Sequence, residues 1–288
     1  MKISQFLQLI RFKNLMMLVC MQVLFSMHFF KSNLNLVELV LLITATVFLA
    51  GAGNIINDYF DVTADTINKP NKVIVGKLIS KKTTLKLYIF FNLIGLITGF
   101  ILAILTHKMY YSLLFIGIFV LLYLYSLKFK AIALLGNFIV SLLIGFSILI
   151  LVVFPPTNDS VLPLYFDTLI YIYAGFAFTI NFIREIVKDI EDVNGDYNVQ
   201  LKTLPIIIGK KRTQHFIFYL TSLPFMALII LMSNNRLLLF QIYVVIFILL
   251  PLGYFMYKIK EVKTTKQLHT LSNLLKLILL FGVLSILF

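Results

Sequence analysis

Two short segments, NDYFDVTAD and DIEDVNGD, each hold three aspartates at steps of three and four: Asp58, Asp61 and Asp65, then Asp189, Asp192 and Asp196. Seven residues make nearly two turns of an α-helix, so each triad falls on one helical face. Three carboxylates on one face repel, and two such faces directed at one cavity repel further. Keeping them ionised requires cations between them. Carboxylate oxygens with no His or Cys among them favour magnesium, which prefers a few carboxylates together with waters and substrate phosphates. Asn57 and Asn54 share or border the first face, and Gly195 is a helix-stop signal just ahead of Asp196.

The elements that position these groups are written in the apolar pattern. Of 288 residues, 60% are hydrophobic, more than a soluble domain hides, so the solvent is lipid. Only helices or a closed barrel satisfy the backbone there. Runs of roughly twenty apolar residues suit helices, whereas barrel strands would be about ten long and would alternate. Nine runs occur, at about 14–30, 36–56, 86–106, 110–127, 131–154, 163–184, 214–232, 237–257 and 270–287. The expected fold is an all-α integral membrane protein with nine transmembrane helices, the second continuing as helix into the first aspartate segment.

The net charge of +13 reads as topology rather than as nucleic-acid binding, because basic residues stay on the cytoplasmic side. With the N-terminus cytoplasmic, 21 of the 25 Lys and Arg fall inside, and Lys31, Lys108 and Arg236 fall outside. Lys276 lies in the last run and snorkels to the nearby surface. Cys20 is alone, so there is no disulfide framework or thiol metal site. The basic start and first apolar run look like a secretory signal, but no small-residue cleavage site follows, so the first run is expected to stay.

Seven of the twelve acids lie in the two aspartate segments, and an eighth, Glu185, stands one turn before the second. Both segments follow an even-numbered span and so lie on the cytoplasmic face. An offset of 131 residues maps one triad onto the other. The expectation is a single membrane domain over 1–288 with two pseudo-related halves, roughly 1–130 and 131–288. Cations flank the acids: Lys69, Lys72 and Lys77 after the first triad, Arg184 and Lys188 around the second, and Lys128 and Lys130 after the fourth span. The positive-inside rule alone accounts for most of the lysines. Carboxylates, magnesium and cations over a lipid-facing cavity fit an isoprenoid diphosphate, its tail among the spans and its head clamped at the surface. Magnesium stabilises diphosphate as a leaving group, and an aromatic-rich cavity shelters the allylic cation; the chain has 28 Phe and 14 Tyr.

These residues resemble the UbiA superfamily of intramembrane prenyltransferases over most of the chain. NDYFDVTADTINKP is similar to its first aspartate motif with the trailing Asn68-Lys69-Pro70, and REIVKDIEDVNGD with LKTLPIIIGKK is similar to the second, with Lys202 to Pro205 downstream. YSLKFKAIALLGN resembles the loop after the fourth span, with Tyr125, Ser126, Lys128 and Asn137, and IRFKNLMM resembles an opening Arg-x-x-Asn, here Arg11 and Asn14. The resemblance implies a nine-helix bundle around a central cavity, with Mg2+ bound between the aspartate motifs and the diphosphate. It implies Asn57, Asp58, Asp61, Asp189 and Asp192 as ligands, with Tyr125, Ser126 and Lys128 assisting at the diphosphate. Within the superfamily, REIVKDIEDVNGD is most similar to the digeranylgeranylglyceryl phosphate synthase branch. That branch implies transfer of a geranylgeranyl group from its diphosphate to the hydroxyl of geranylgeranylglyceryl phosphate, at the cytoplasmic side of the cell membrane. One departure stands out: Lys72-Val73-Ile74-Val75 replaces the family's Arg-Pro-Ile-Pro, losing a bidentate fork and a rigid turn.

Other classes fit less well. An aromatic acceptor such as 4-hydroxybenzoate is the alternative within the enzyme reading. A transporter would place its polar groups near the midplane, and these spans are nearly free of acids. A CDP-alcohol phosphotransferase needs Asp-Gly and Ala-Arg between its acids, and neither occurs at 57–65 or 189–196. An assembly protein would leave the matched triads unexplained.

Overall fold

The computed structural model describes residues 2–29, 34–154, 164–234 and 237–288. Lys31 and Arg236, expected in outside loops, lie outside the described residues, as do residues 30 and 163 at the ends of two apolar runs. The chain forms α1 (Ile3–Leu9), α2 (Phe12–Phe29), α3 (Leu36–Phe60), α4 (Val62–Asn68), α5 (Lys81–Leu105), α6 (Ser112–Leu127) and α7 (Leu135–Val153). It continues with α8 (Leu164–Asn198), α9 (Leu204–Ile208), α10 (Lys210–Asn234), α11 (Leu238–Val244), α12 (Leu250–Ile259) and α13 (Thr265–Leu284). Among the described residues the extended pairings are two isolated bridges, Val75 with Ile79 and Ile132 with Lys202.

Eight helical segments are long and apolar enough to cross a membrane, and α1 with α2 makes a ninth candidate bent by 61°. Among the described residues, eight of the nine expected spans are thus met by single helical segments and the first by a bent pair, and the chain is an all-α integral membrane protein. Arg11 makes the bend: it takes a left-handed φ of 53° between α1 and α2, a conformation that costs a non-glycine residue about 1–2 kcal/mol. α3 starts at a reciprocal cap, where the Glu38 N–H donates to Asn35 Oδ1 and the Asn35 N–H to Glu38 Oε2, which accounts for an acid at the head of an oily helix. α5 begins earlier than the apolar run because Ser80 Oγ accepts the Thr83 N–H. α11 and α12 run together through a π turn at Val245–Leu249, next to Pro251, which has no N–H to give.

The chain divides into two compact units: Met1–Lys130 with Leu149–Pro163, and Ala131–Ile148 with Leu164–Phe288. In the first unit α3 packs against α5 and α6. Small residues allow that approach: a Cβ on Gly95 would meet Leu49 at 2.8 Å, and one on Gly99 would meet the Phe115 ring at 2.5 Å. α5 turns Ile89, Phe90, Leu93, Ile97 and Phe100 outward, a surface suited to lipid. In the second unit α8 packs against α13 and α10. Ile183, Val187 and Ile190 of α8 join Leu271, Leu275 and Ile278 of α13 in its core. By helical period the aspartates of α8 fall on the other side of that helix.

Candidate active site

The first aspartate segment is built where α3 ends. Helix geometry breaks at Asp61, which stands between α3 and α4. Asp58 closes α3, Asp65 sits in the first turn of α4, and the backbone bonds Asp61 N–H to Asn57 O and Asp65 N–H to Asp61 O bridge the break. The single continuous helical face expected for this triad is thus interrupted. Side chains explain the interruption: Asn57 Nδ2 donates to Asp61 Oδ2 at 2.7 Å, and Lys130 Nζ forms an ion pair with Asp61 Oδ1. Arg11 Nη2 donates to Asp58 Oδ1 at 3.0 Å. Asn54, one turn before Asp58, donates to the Ile10 carbonyl at 3.0 Å. That bond ties α3 to the bend carrying Arg11, so the strained arginine and its aspartate are positioned by the same contact.

The remaining residues predicted around this segment are placed differently. Asn14 lies half-buried in the first turn of α2 and Lys69 half-buried at the end of α4. Lys72 is exposed, and Lys77 Nζ donates to the Pro70 carbonyl at 2.9 Å. The Val73-Ile74-Val75 stretch that replaces the family's prolines is buried, with Ile74 and Val75 in the core of the unit. The turn is closed by Gly76, at φ 84°, and by the Gly76 N–H to Ile79 O bond. Apolar anchorage has taken the place of proline stiffness. Tyr125 is half-buried, and Ser126 is buried with its hydroxyl on the Leu122 carbonyl of its own helix. Lys128, the lysine the resemblance favours, is exposed and makes no ion pair among the described residues. The 3₁₀ turn at Phe129–Ala131 brings Lys130 to the carboxylate instead.

The second segment lies on one long helix. α8 has 35 residues, about 52 Å at 1.5 Å per residue, while the hydrocarbon core of a bilayer is about 30 Å thick. Its last turns must therefore emerge, and those turns carry Asp189, Asp192 and Asp196. Gly195 does not end the helix, which runs on to Asn198, so all three acids keep one stripe; Asp196 is buried and Asp192 half-buried. Helix–helix contacts pinning neighbours on α8 and α13 outweigh one glycine's poor propensity. Asn137 Nδ2 donates to Asp189 Oδ2 at 2.9 Å. Ser141 Oγ donates to the Asn137 carbonyl at 2.6 Å, and Asn181 Nδ2 donates to Ser141 Oγ at 3.1 Å. This buried polar chain locks α7 to α8 and holds the Asp189 carboxylate still. Arg184 Nη1 and Lys188 Nζ both donate to Glu185 Oε1 at 2.8 Å, and Glu191 pairs with His269 Nδ1 at 3.1 Å.

Among the described residues no three His, Cys, Asp or Glu side chains gather into a ready-made cation site. Asp58 and Asp61 instead hold protein cations. The donor chemistry still fits magnesium. The groups are all oxygen donors, and Asn57 Oδ1 is buried next to Asp61 with no hydrogen bond from any described residue, an amide oxygen suited to a hard cation.

Eight to nine apolar spans among the described residues, with carboxylates, amides and cations interleaved at helix ends, define an intramembrane protein with a polar, oxygen-rich edge. The chain belongs to the UbiA prenyltransferase family, whose family model matches residues 19–280. A digeranylgeranylglyceryl phosphate synthase of Pyrococcus horikoshii is 36% identical over 177 residues, covering 61% of this chain and 58% of the relative. One from Pyrococcus abyssi is 32% identical over 219 residues, covering 74% of this chain and 72% of the relative. The match thus spans less than two thirds of the first relative's length and more than two thirds of the second's. A UbiA homolog from Archaeoglobus fulgidus, solved bound to GPP and Mg2+, has the same fold with a TM-score of 0.66 at 17% identity, covering 99% of this chain and 100% of that one.

Proposed function

We propose that the chain transfers a geranylgeranyl group from its diphosphate to the free hydroxyl of geranylgeranylglyceryl phosphate, with Mg2+ as cofactor. The observation that carries the reading is the interleaving of Asp58 and Asp61 with Arg11 and Lys130 at the end of an apolar helix. Carboxylates alone would repel a diphosphate and cations alone would not hold a metal. Together they suit a metal diphosphate on a lipid tail. The family membership and the digeranylgeranylglyceryl phosphate synthases among the relatives support the reaction class and the acceptor.

In the transfer, the C1–O bond of the donor breaks, the acceptor oxygen bonds to C1, and diphosphate and a proton are released. Magnesium, when bound, neutralises the diphosphate and stabilises it as a leaving group. By the resemblance, Asn57, Asp58 and Asp61 of the first segment and Asp189 and Asp192 of the second would be its ligands, with Asp65 and Asp196 as further carboxylates of the two triads. Arg11 and Lys130, already aimed by their aspartates, meet the phosphate oxygens; Lys130 takes the role that the resemblance gives Lys128. Arg184 and Lys188 serve the substrates from α8. The chain acts as one membrane domain of two pseudo-related halves, in the cell membrane, with the reaction on the cytoplasmic side as the basic residues indicate.

The test is purified protein with magnesium, geranylgeranyl diphosphate, and a panel containing geranylgeranylglyceryl phosphate and 4-hydroxybenzoate, read by mass spectrometry. The digeranylgeranyl product is expected to dominate. Preference for 4-hydroxybenzoate, or no transfer, overturns the proposal.

A further inference from the structure

We infer that the second unit holds an anionic phospholipid at its cytoplasmic end, the headgroup seated in a cavity between α8, α9 and α10. The inference goes beyond the transfer reaction and does not depend on it.

The cavity has a volume of about 480 Å³, within the range of about 300–1,000 Å³ that takes a small ligand. Asn194, Tyr197 and Asn198 line it from the last turns of α8, Pro205 and Ile206 from α9, and Lys210 from the start of α10. Its wall thus offers an ammonium, a phenol and two amides over an apolar floor. By helical period the α8 residues lie on a different face from Asp189, Asp192 and Asp196, so the cavity is separate from the carboxylate stripe. It stands at headgroup height, because the last turns of the 35-residue α8 must leave the hydrocarbon. Tyr197 on its wall and Ile207, next in sequence to its floor, are 72% and 58% exposed. An exposed tyrosine and isoleucine suit the boundary between headgroups and acyl chains.

Charge selects the headgroup. Lys210, Lys211 and Arg212 open α10, all exposed, with no acid in that first turn. None of the three makes an ion pair among the described residues. A second basic group adjoins them. Gln214 Nε2 of α10 donates to the Val262 carbonyl at 2.7 Å, and Lys260 Nζ lies 3.3 Å from the centroid of the Phe218 ring. These contacts fasten to α10 the turn that carries exposed Lys260 and Lys263, with exposed Lys266 just beyond. Glu261 faces Lys258 at 4.0 Å, which accounts for the acid of that turn. Even with all four acids of residues 189–198 set against them, the six cations are in excess.

Three cations at the positive end of a helix dipole repel that end and one another, a cost that a bound anion relieves. The positive-inside rule puts lysines on this side of the membrane, but it supplies neither the cavity nor its apolar floor. A phosphodiester headgroup answers Lys210 and the amides, and the start of its acyl chains answers Pro205, Ile206 and Ile207. A free anion would use only the first set.

The chain has no tryptophan, so Tyr197→Trp installs a single fluorescent reporter on the cavity wall. Protein carrying it, in phosphatidylcholine nanodiscs, is given increasing fractions of phosphatidylglycerol brominated on its acyl chains, or of phosphatidylcholine brominated likewise. The anionic lipid is expected to quench the indole at a several-fold lower mole fraction. Lys210→Gln should cut that preference about fivefold, what one basic residue beside an anionic surface contributes. Lys263→Gln, off the cavity, should cut it by less than about twofold. An equal loss for the two substitutions marks diffuse attraction to a basic surface and overturns the seat. So does equal quenching by the two lipids, or displacement of the anionic lipid by millimolar inorganic phosphate, which marks a site for the phosphate group alone. Native mass spectrometry of protein without the reporter gives a second reading if Tyr197→Trp elutes aggregated. Retention of phosphatidylglycerol over phosphatidylcholine that Lys210→Gln removes supports the seat, and retention without preference overturns it.

Discussion

Replacing Lys130 by glutamine separates the geometry of the first aspartate segment from its sequence resemblance. Lys130 Nζ pairs with Asp61 Oδ1, and the two side chains are only 15% and 22% exposed, so water does not take over the lost contact in full. A charge-assisted hydrogen bond is worth about 1.5–3 kcal/mol, or about 10- to 100-fold in rate or affinity. Asp61 keeps its 2.7 Å bond from Asn57 Nδ2 and is not stranded, so the lower part of that range applies. Lys130→Gln should lose about 10- to 30-fold in kcat/KM for the diphosphate donor. Lys128→Gln, at an exposed residue without an ion pair among the described residues, should lose less than about threefold. The assay is extraction of labelled product from purified protein, with Asp61→Asn and the double variant alongside. If the two residues act as a unit, the double variant is little worse than Asp61→Asn alone. Effects that multiply, or a Lys128→Gln loss exceeding that of Lys130→Gln, would refute the assignment.

Asn137→Ala removes the donor to Asp189 Oδ2 and should raise the magnesium concentration for half-maximal turnover by about tenfold, as loss of a ligand-orienting partner does; an unchanged magnesium requirement contradicts this. Excess EDTA should abolish transfer and added magnesium should restore it, so turnover that resists EDTA speaks against a metal-held diphosphate. Gly282→Ala sets a Cβ 2.2 Å from the Phe176 ring, where α8 and α13 pack. Overpacking there should cost about 1–3 kcal/mol, read as a lower melting temperature in detergent, and an unchanged melting temperature rejects the close packing.

The spans were legible because lipid leaves the backbone one solution per apolar run of that length. What happens at the ends of the runs was less legible, because lipid does not impose it. Steps of three and four at Asp58, Asp61 and Asp65 read the same for a continuous helix as for one broken at Asp61. The break depends on Asn57 and on Lys130, which is distant in sequence. Nothing in IRFKN marks Arg11 for a left-handed φ. The local cost is offset by a tertiary bond to Asp58 and by Asn54 on the Ile10 carbonyl. In the other unit Gly195 reads locally as a stop, yet α8 passes through it, since packing along the helix outweighs one residue's propensity. Asn137 was visible in its motif, but its role follows only once α7 lies along α8.

Acids and bases were unequally informative for a physical reason. Topology demands lysines on the cytoplasmic side whether or not they do chemistry, so Lys128 and Lys130 carry the same sequence signal and only a 3₁₀ turn separates them. Nothing about insertion demands aspartates. An acid retained beside the bilayer is held there against a desolvation cost and needs another reason to exist. Eight of twelve acids in or one turn before the two segments are accordingly the strongest functional signal in the chain. Each acid of these segments whose partner is described here is met by a donor from elsewhere in the fold or from its own helix: Arg11, Lys130, Asn57, Asn137, Arg184, Lys188 and His269. A carboxylate that accepts from such a donor recovers part of its lost hydration, and that recovery offsets the cost of keeping a charge at the edge of the hydrocarbon.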